Sequence, residues 1–136
     1  MVILPKNIRG LTLLMEPPDD VNRVEPHLYI ILTNIFEGQL LLVNITKTLG
    51  RSVDEACILQ PREHNFITHE SFVFYKKSSL LDEAEFKEKY ENNKRLGPLN
   101  KTVFQRVCDG LYESKYTREK IKNFYKRYIE SLPPPR

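Results

Sequence analysis

The hydrophobic pattern of this chain changes its period once, close to Asp82, and this change constrains the fold more than any other feature. From residue 28 to about residue 80, short apolar runs rich in β-branched and aromatic residues alternate with turn-like segments, which is typical of β-strands. From Asp82 onward, the apolar residues recur at helical spacing. Strands followed by helices predict the α+β class, and 136 residues are most simply one domain.

Four or five strands are predicted in the first part of the chain. They cover residues 28–33, 39–45, 56–60 and 64–77, with a short continuation at 78–81. Gly38 lies between the first two runs and predicts a hairpin loop. Strands so close together favour a small antiparallel barrel or a tightly curled sheet, with its core in residues 27–81. Residues 1–26 are expected to be irregular, with at most one edge strand at residues 11–15.

Three helices are predicted in residues 82–132, and we expect them to pack on the sheet. Asp82 is the expected N-cap of the first, with Glu85 three residues later, and Leu81 and Phe86 have the spacing of a hydrophobic staple. The second shows an amphipathic stripe that ends near Leu111. For the third, the predicted N-cap is Thr117. Its stripe consists of Ile121, Phe124, Tyr125, Tyr128, Ile129 and Leu132.

Composition narrows the class of protein. Apolar residues make up 40% of the chain and charged residues 29%, which is ordinary for a soluble globular protein. No apolar run approaches the length of a membrane span, and the first residues lack the pattern of a signal peptide. Cys57 and Cys108 lie in apolar surroundings without metal-ligand spacing, so we expect two reduced core cysteines and a cytoplasmic protein.

The charge of the chain is divided unevenly. Residues 1–93 contain 10 Lys and Arg and 14 Asp and Glu, a balance of −4, whereas residues 94–136 contain 11 and 4, a balance of +7. A basic end of this kind could contact nucleic acid. It is also what the solvated faces of amphipathic helices commonly show, and the sequence leaves both interpretations open.

Residues 64–77 concentrate polar chemistry on one predicted strand. Two of the three histidines, His64 and His69, occur here. Because strand side chains alternate between faces, Phe72 and Phe74 are expected to be buried, and Ser71 and Tyr75 are expected to line a cleft on the other face with His69 and Lys77. An imidazole, hydroxyls and cations together suit a phosphate ligand. The ordinary alternative is a half-exposed strand with polar residues facing water.

Three segments resemble the MazF/PemK-like toxin family. They are H-L-Y-I-I-L-T-N at 27–34, L-L-L-V-N-I-T-K at 40–47 and H-E-S-F-V-F-Y-K-K-S-S-L-L-D at 69–82, so the similarity covers roughly residues 27–82. The resemblance implies an SH3-like β-barrel and a toxin of a toxin–antitoxin pair that cleaves single-stranded RNA without a metal ion or cofactor. It also implies a homodimer and an antitoxin protein as partner.

The resemblance also implies roles for particular residues. Thr46 matches the functional Thr at the end of a family strand. His27 stands where the family has a catalytic Arg, so Arg62 or Arg51 could supply the guanidinium instead. The chain also lacks the Trp that the family usually carries in its first strand.

RNA cleavage of this kind needs a base, an acid and groups that stabilise the phosphate. Histidine suits both proton-transfer roles near neutral pH, and we predict His64 and His69 as the pair, provided that the chain bends at Asn65. The predicted phosphate contacts are Arg62, Lys76 and Lys77. The side chains predicted to position oxygens are Ser71, Tyr75 and Thr46, and His27 is an alternative catalytic residue.

Other classes fit the sequence less well. Glu63, His64, His69 and Glu70 are conceivable metal ligands, but the spacing of the two histidines on a strand does not place their rings side by side. Ser71 lacks a nucleophile elbow, and the five glycines do not cluster as phosphate-binding loops require. A non-catalytic barrel that binds protein or nucleic acid remains the main alternative to a ribonuclease.

Overall fold

The computed structural model describes residues 3–15, 26–48, 50 and 52–134, and its architecture is α+β. Within these residues it contains seven strands, three α-helices and a 3₁₀ turn at Tyr75–Lys77. The strands are β1 (Thr12–Met15), β2 (His27–Ile31), β3 (Gln39–Lys47), β4 (Ile58–Leu59), β5 (Ser71–Val73), β6 (Ser79–Asp82) and β7 (Lys94–Leu96). The helices are α1 (Glu83–Asn92), α2 (Lys101–Glu113) and α3 (Glu119–Ser131).

All the strand pairs are antiparallel, and they form one sheet in the order β4-β5-β3-β2-β1-β7. The nine-residue strand β3 is central. It pairs with β2 on one side, and on the other side with β6 along its first half and with β5 along its second. Strands β4 and β7 end the sheet and do not pair with each other within the described residues. The α+β class is therefore confirmed, whereas the sheet is open and a closed barrel is not confirmed.

The hairpin predicted around Gly38 joins β2 to β3. Phe36 and Gln39 exchange both backbone hydrogen bonds across the turn, at 2.7 and 3.0 Å. Glu37 and Gly38 between them have φ angles of 52° and 77°. Two positive φ angles in a two-residue turn match the twist of antiparallel strands, and this fixes the register of β2 against β3.

Helices cover both faces of the sheet. Phe86 and Tyr90 of α1 pack on one face, against side chains that include Tyr29 and Ile31 of β2. On the opposite face, α2 and α3 pack against alternate residues of the same strand, Leu28 and Ile30 among them. A sheet covered in this way buries both sets of alternating side chains, so alternation alone does not separate core positions from exposed ones.

The prediction that Tyr75 lines a cleft is wrong for this reason. Tyr75 is fully buried in the core under α2, and its hydroxyl donates a hydrogen bond of 2.6 Å to the carbonyl of Val107. Ser71 and Val73 precede it on β5 and are buried as well. Phe72 is buried as predicted, but Phe74 is only half-buried. The supposedly polar face of this segment therefore points largely into the core.

Several secondary-structure elements also differ from the prediction. The strand at Thr12–Met15 exists but is internal, because β7 pairs with its outer side. Strand β7 itself was missed. In residues 64–77, only Ser71–Val73 is a strand. The N-cap of α3 is Arg118 and not Thr117, since the carbonyl of Arg118 accepts the first helical N–H groups, from Ile121 and Lys122.

The capping of α1 by Asp82 is confirmed, because the Asp82 carboxylate accepts the N–H of Glu85 at 2.8 Å. Cys57 and Cys108 are buried free thiols, as predicted. Burial raises the pKa of Cys57 to about 11 and also raises that of Cys108, which keeps both thiols neutral. Among the helices that the structure describes, none has both the length and the apolar character needed to cross a membrane.

Candidate functional site

A cleft of about 430 Å³ lies where β2, β3 and β5 meet the chain that precedes β5, and we call it the His27 cleft. Its lining residues are Pro26, His27, Leu28, Ile45, Thr46, Lys47, Asn65, Phe66, Ile67, Thr68, His69 and Ser71. Four side chains predicted from the sequence to be functional therefore share one cleft: His27, Thr46, His69 and Ser71. Two of them are imidazoles: His27 comes from β2 and His69 from the chain just before β5, and these two strands flank β3.

The orientation of His27 is set by β3. Its Nδ1 lies 3.1 Å from the carbonyl oxygen of Ile45 and 3.5 Å from Thr46 Oγ1. A carbonyl oxygen only accepts hydrogen bonds, so Nδ1 carries the proton that it shares with Ile45, and in the neutral form of the ring the lone pair is on Nε2. Thr46 Oγ1 in turn donates to Oδ1 of the buried Asn44 at 3.5 Å. The arrangement gives His27 the tautomer that a general base requires.

His69 lies two residues before the start of β5. Its Nδ1 lies 3.1 Å from Thr68 Oγ1, and the residue is exposed. Ser71 is buried, and its hydroxyl donates a 2.9 Å hydrogen bond to the His69 carbonyl. The Ser71 hydroxyl therefore fixes the backbone that carries His69 and is not paired with an imidazole as a serine nucleophile would be.

The loop between β4 and β5 crosses from one end of the sheet toward the other. His64 on this loop reaches β1, where its Nε2 lies 3.3 Å from Thr12 Oγ1, and its Nδ1 accepts the N–H of Phe66 at 3.0 Å. Since an N–H donor requires an unprotonated acceptor, this geometry assigns the ring proton to Nε2. His64 is a neutral imidazole that links the loop at Phe66 to Thr12 of β1.

His64 and His69 do not line the same cleft. His64 lines a second cleft of about 500 Å³, the Arg62 cleft, together with Arg62, Glu63, Asn65, Phe66, Leu96, Gly97, Pro98 and Asn100. The two clefts share Asn65 and Phe66. The predicted pair of histidines is thus divided by the loop, and the imidazole that shares a cleft with His69 is His27, the alternative residue named from the sequence.

The stability of the protein is expected to fall at acidic pH through His64. Burial lowers the pKa of His64, an effect that outweighs the hydrogen bond to the Gly97 carbonyl. The folded state therefore favours the neutral ring, so this stabilisation is complete above the ordinary pKa of about 6.5 and is lost as the pH falls through the lower folded value. Urea midpoints measured at about pH 7.5 and about pH 5 would show the loss.

The matched control for that measurement is His64→Asn. The Asn Oδ1 can accept the Phe66 N–H in place of Nδ1, but it does not titrate. Because every other titratable group is common to the two proteins, the wild type should lose more of its urea midpoint between the two pH values than the variant does. Equal losses would show that His64 does not titrate with unfolding.

Of the three predicted phosphate-binding cations, only Arg62 lines either cleft. Lys76 and Lys77 lie on the 3₁₀ turn beyond β5. Arg51 lies outside the described residues. The cleft cation that sequence reasoning missed is Lys47, the last residue of β3. The sequence feature that could have identified Lys47 is its position directly after Thr46, in the segment 40–47 that resembles the toxin family.

The carboxylates considered as metal ligands are bound to other side chains of the protein. Glu63 forms a 2.5 Å ion pair with Arg106 of α2, and Glu70 accepts hydrogen bonds from Thr48 and Gln60. Across residues 3–15, 26–48, 50 and 52–134, no group of three or more His, Cys, Asp or Glu side chains is arranged to hold a metal ion.

Compared with known proteins, the chain matches no protein-family model and shows no significant similarity to a curated protein. The resemblance to the MazF/PemK-like family therefore rests on the three short segments in residues 27–82.

Proposed function

We propose that the protein is an endoribonuclease that cleaves single-stranded RNA in the His27 cleft without a metal ion. The observation that carries the proposal is that His27 of β2, His69 of the chain before β5, and Lys47 at the end of the intervening strand β3 line one cleft. Phosphodiester cleavage by the ribose 2′-OH requires a base, an acid and a group that stabilises the phosphate charge, and two imidazoles with a cation can supply all three. The family resemblance of residues 27–82 supports the same class of substrate.

Because its Nδ1 carries the proton, His27 can accept a proton at Nε2 and acts as the base, which leaves the role of acid to His69. His27 Nε2 takes the proton from the 2′-OH, and the 2′-oxygen attacks the phosphorus. The bond from phosphorus to the 5′-oxygen then breaks, and protonated His69 gives its proton to this leaving oxygen. The products are a 2′,3′-cyclic phosphate and a 5′-hydroxyl, and no oxidant or metal is consumed. Lys47 offsets the negative charge that builds on the phosphate oxygens.

A strand that lacks 2′-hydroxyls is expected to bind without being cleaved, because the attacking oxygen is absent. The measurement compares an RNA oligonucleotide with the DNA of the same sequence, in EDTA, and follows cleavage on denaturing gels and binding by fluorescence anisotropy. Mapping the RNA ends should find a cyclic phosphate and a 5′-hydroxyl. Binding of both strands with cleavage of neither would make the cleft a recognition site, which is the non-catalytic alternative.

The proposal extends to partners. An SH3-like relationship, a homodimer and neutralisation by an acidic antitoxin segment are implied by the resemblance, and the +7 balance of residues 94–136 supplies a surface that suits acidic chain. Part of this basic charge is used internally, since Arg106 pairs with Glu63 and Arg127 with Glu37. A strictly monomeric species in sedimentation at micromolar concentration would contradict the dimer.

A further inference from the structure

Phe66 is an aromatic side chain that the fold exposes between the two clefts. It is 42% exposed and lines both the His27 cleft and the Arg62 cleft. The other aromatic rings of the described chain are buried or half-buried, apart from Tyr112 in α2 and Tyr116 between α2 and α3, which are comparably exposed. An exposed ring beside two clefts is placed where a flat apolar group entering either cleft could stack on it.

The loop that carries Phe66 is held rigidly. The Arg62 N–H donates to the Ile67 carbonyl at 3.1 Å, and the Ile67 N–H donates to the His64 carbonyl at 2.9 Å. Arg62 has a φ of 80°, a conformation that a residue with a side chain adopts only when its surroundings impose it. The backbone N–H of Phe66 donates a hydrogen bond to His64 Nδ1. The ring is therefore presented from a fixed backbone.

Arg106 of helix α2 also holds the loop in place through two hydrogen bonds. Arg106 donates to the carboxylate of Glu63 and to the carbonyl of Ile58, both at 2.5 Å. The ion pair with Arg106 offsets the negative charge of Glu63 inside the Arg62 cleft, where it would otherwise repel a phosphate. The remaining charged side chains beside Phe66 are cationic, Arg62 in one cleft and Lys47 in the other.

The Arg62 cleft has the size and the polar groups for a nucleobase. Its volume of about 500 Å³ lies in the range of small-ligand sites. Asn100 Oδ1 accepts the N–H groups of Thr102 and Val103 as the N-cap of α2, so the group that Asn100 offers to a ligand is its amide NH₂. Asn65 adds a second amide, shared with the His27 cleft.

We propose that Phe66 is the stacking platform for an unpaired nucleobase, which enters the Arg62 cleft while the phosphate next to it lies in the His27 cleft. The inference rests on the proposed function for its substrate class, single-stranded RNA. Every base has a π-face, so stacking on a fixed ring holds a strand without demanding one sequence, and the flanking cations hold its backbone. Phe66 thereby places the scissile phosphate between His27 and His69.

The test measures binding to a labelled oligonucleotide with 2′-fluoro riboses, which the proposed chemistry cannot cleave, by fluorescence anisotropy. The variants are Phe66→Ala, which removes the ring, and Phe66→Trp, which enlarges it. Tyr116→Ala removes a similarly exposed ring, 46% exposed, on the α2–α3 hairpin and is the matched control. Thermal melting of each variant shows that it is folded.

Phe66→Ala should weaken binding about 5- to 150-fold, the fold-change expected from loss of one base–aromatic stack. Phe66→Trp, which keeps a stacking ring, should bind more tightly than Phe66→Ala, and Tyr116→Ala should bind like the wild type. A second oligonucleotide with abasic sites should lose affinity for the wild type but not further for Phe66→Ala. Unchanged binding by Phe66→Ala overturns the inference, and so does an abasic effect of equal size in both proteins.

The same data separate this inference from the proposed ribonuclease. If Phe66→Ala weakens binding as expected but natural RNA is never cleaved, the stacking platform stands and the catalytic proposal fails. If RNA is cleaved but Phe66→Ala neither binds more weakly nor raises KM, the catalytic proposal stands and the platform fails. Absence of any binding to single strands overturns the platform.

Discussion

Gly110→Ala is expected to destabilise the protein by about 2–4 kcal/mol, the combined estimate for overpacking a core and for disturbing a buried hydrogen bond. Gly110 lies inside α2, where Ala would ordinarily stabilise a helix by about 1 kcal/mol relative to Gly. The sign is reversed here because a Cβ on Gly110 would stand 2.9 Å from Cζ of Tyr75 and closer still to its hydroxyl oxygen.

Tyr75 has no room to move away. The residue is fully buried, and its hydroxyl is fixed by the 2.6 Å hydrogen bond to the Val107 carbonyl, one turn before Gly110. The added methyl group must displace either the phenol or the helix. Displacement of the phenol breaks the hydrogen bond in a site from which water is excluded, and displacement of α2 opens the core around Val107 and Leu111.

Urea unfolding at neutral pH measures the effect, with Gly97→Ala as the matched control. A Cβ on Gly97 would meet nothing within 4 Å, so that variant should stay within about 1 kcal/mol of the wild type. In the double variant Tyr75→Phe/Gly110→Ala the conflicting oxygen is gone, so the loss should be smaller than the sum of the two single losses. A stabilised Gly110→Ala would refute the contact.

The elements that the sequence predicts well are those whose signals are local. The change of period at Asp82, the Asp82 cap and the Gly38 turn each depend on a few neighbouring residues, and all three are present in the structure. Strand β7 was missed because it has only three residues and pairs with β1, which lies far earlier in the chain, with Leu13 opposite Arg95. A short polar strand of this kind is stabilised by its partner rather than by its own propensity.

The burial of Tyr75 and the question of which histidines share a cleft depend on tertiary structure, so the sequence pattern did not predict them correctly. Alternation placed Tyr75 correctly on the face of Ser71 and Val73, but only the packing of α2 shows that this face is the core. His27 and Thr46 meet because the hairpin turn sets the register of β2 against β3, with Leu28 opposite Ile45. Phe66 lies in a loop, where no periodicity marks it.

His27→Ala and His69→Ala are each expected to lower the rate of RNA cleavage by about 10²–10⁴-fold, the usual worth of one positioned acid or base. The loss should appear in kcat and in kcat/KM together, because proton transfer acts on the transition state and not on binding. Wild-type cleavage should follow a bell-shaped pH profile, since one imidazole must be neutral while the other is protonated. Each single variant should lose one limb of that profile.

His64→Asn separates this assignment from the one based on sequence alone. If His64 served as the acid or base, Asn would cost as much as Ala at His27, since an amide does not transfer protons at neutral pH. If His64 instead holds the loop, Asn preserves the acceptor for the Phe66 N–H, and the loss should stay below about tenfold and appear in KM.

The double variant His27→Ala/His69→Ala should be scarcely slower than either single variant, because the base and the acid act in the same step and removal of either one already prevents it. A double variant that cleaves at the wild-type rate would place the chemistry outside the His27 cleft.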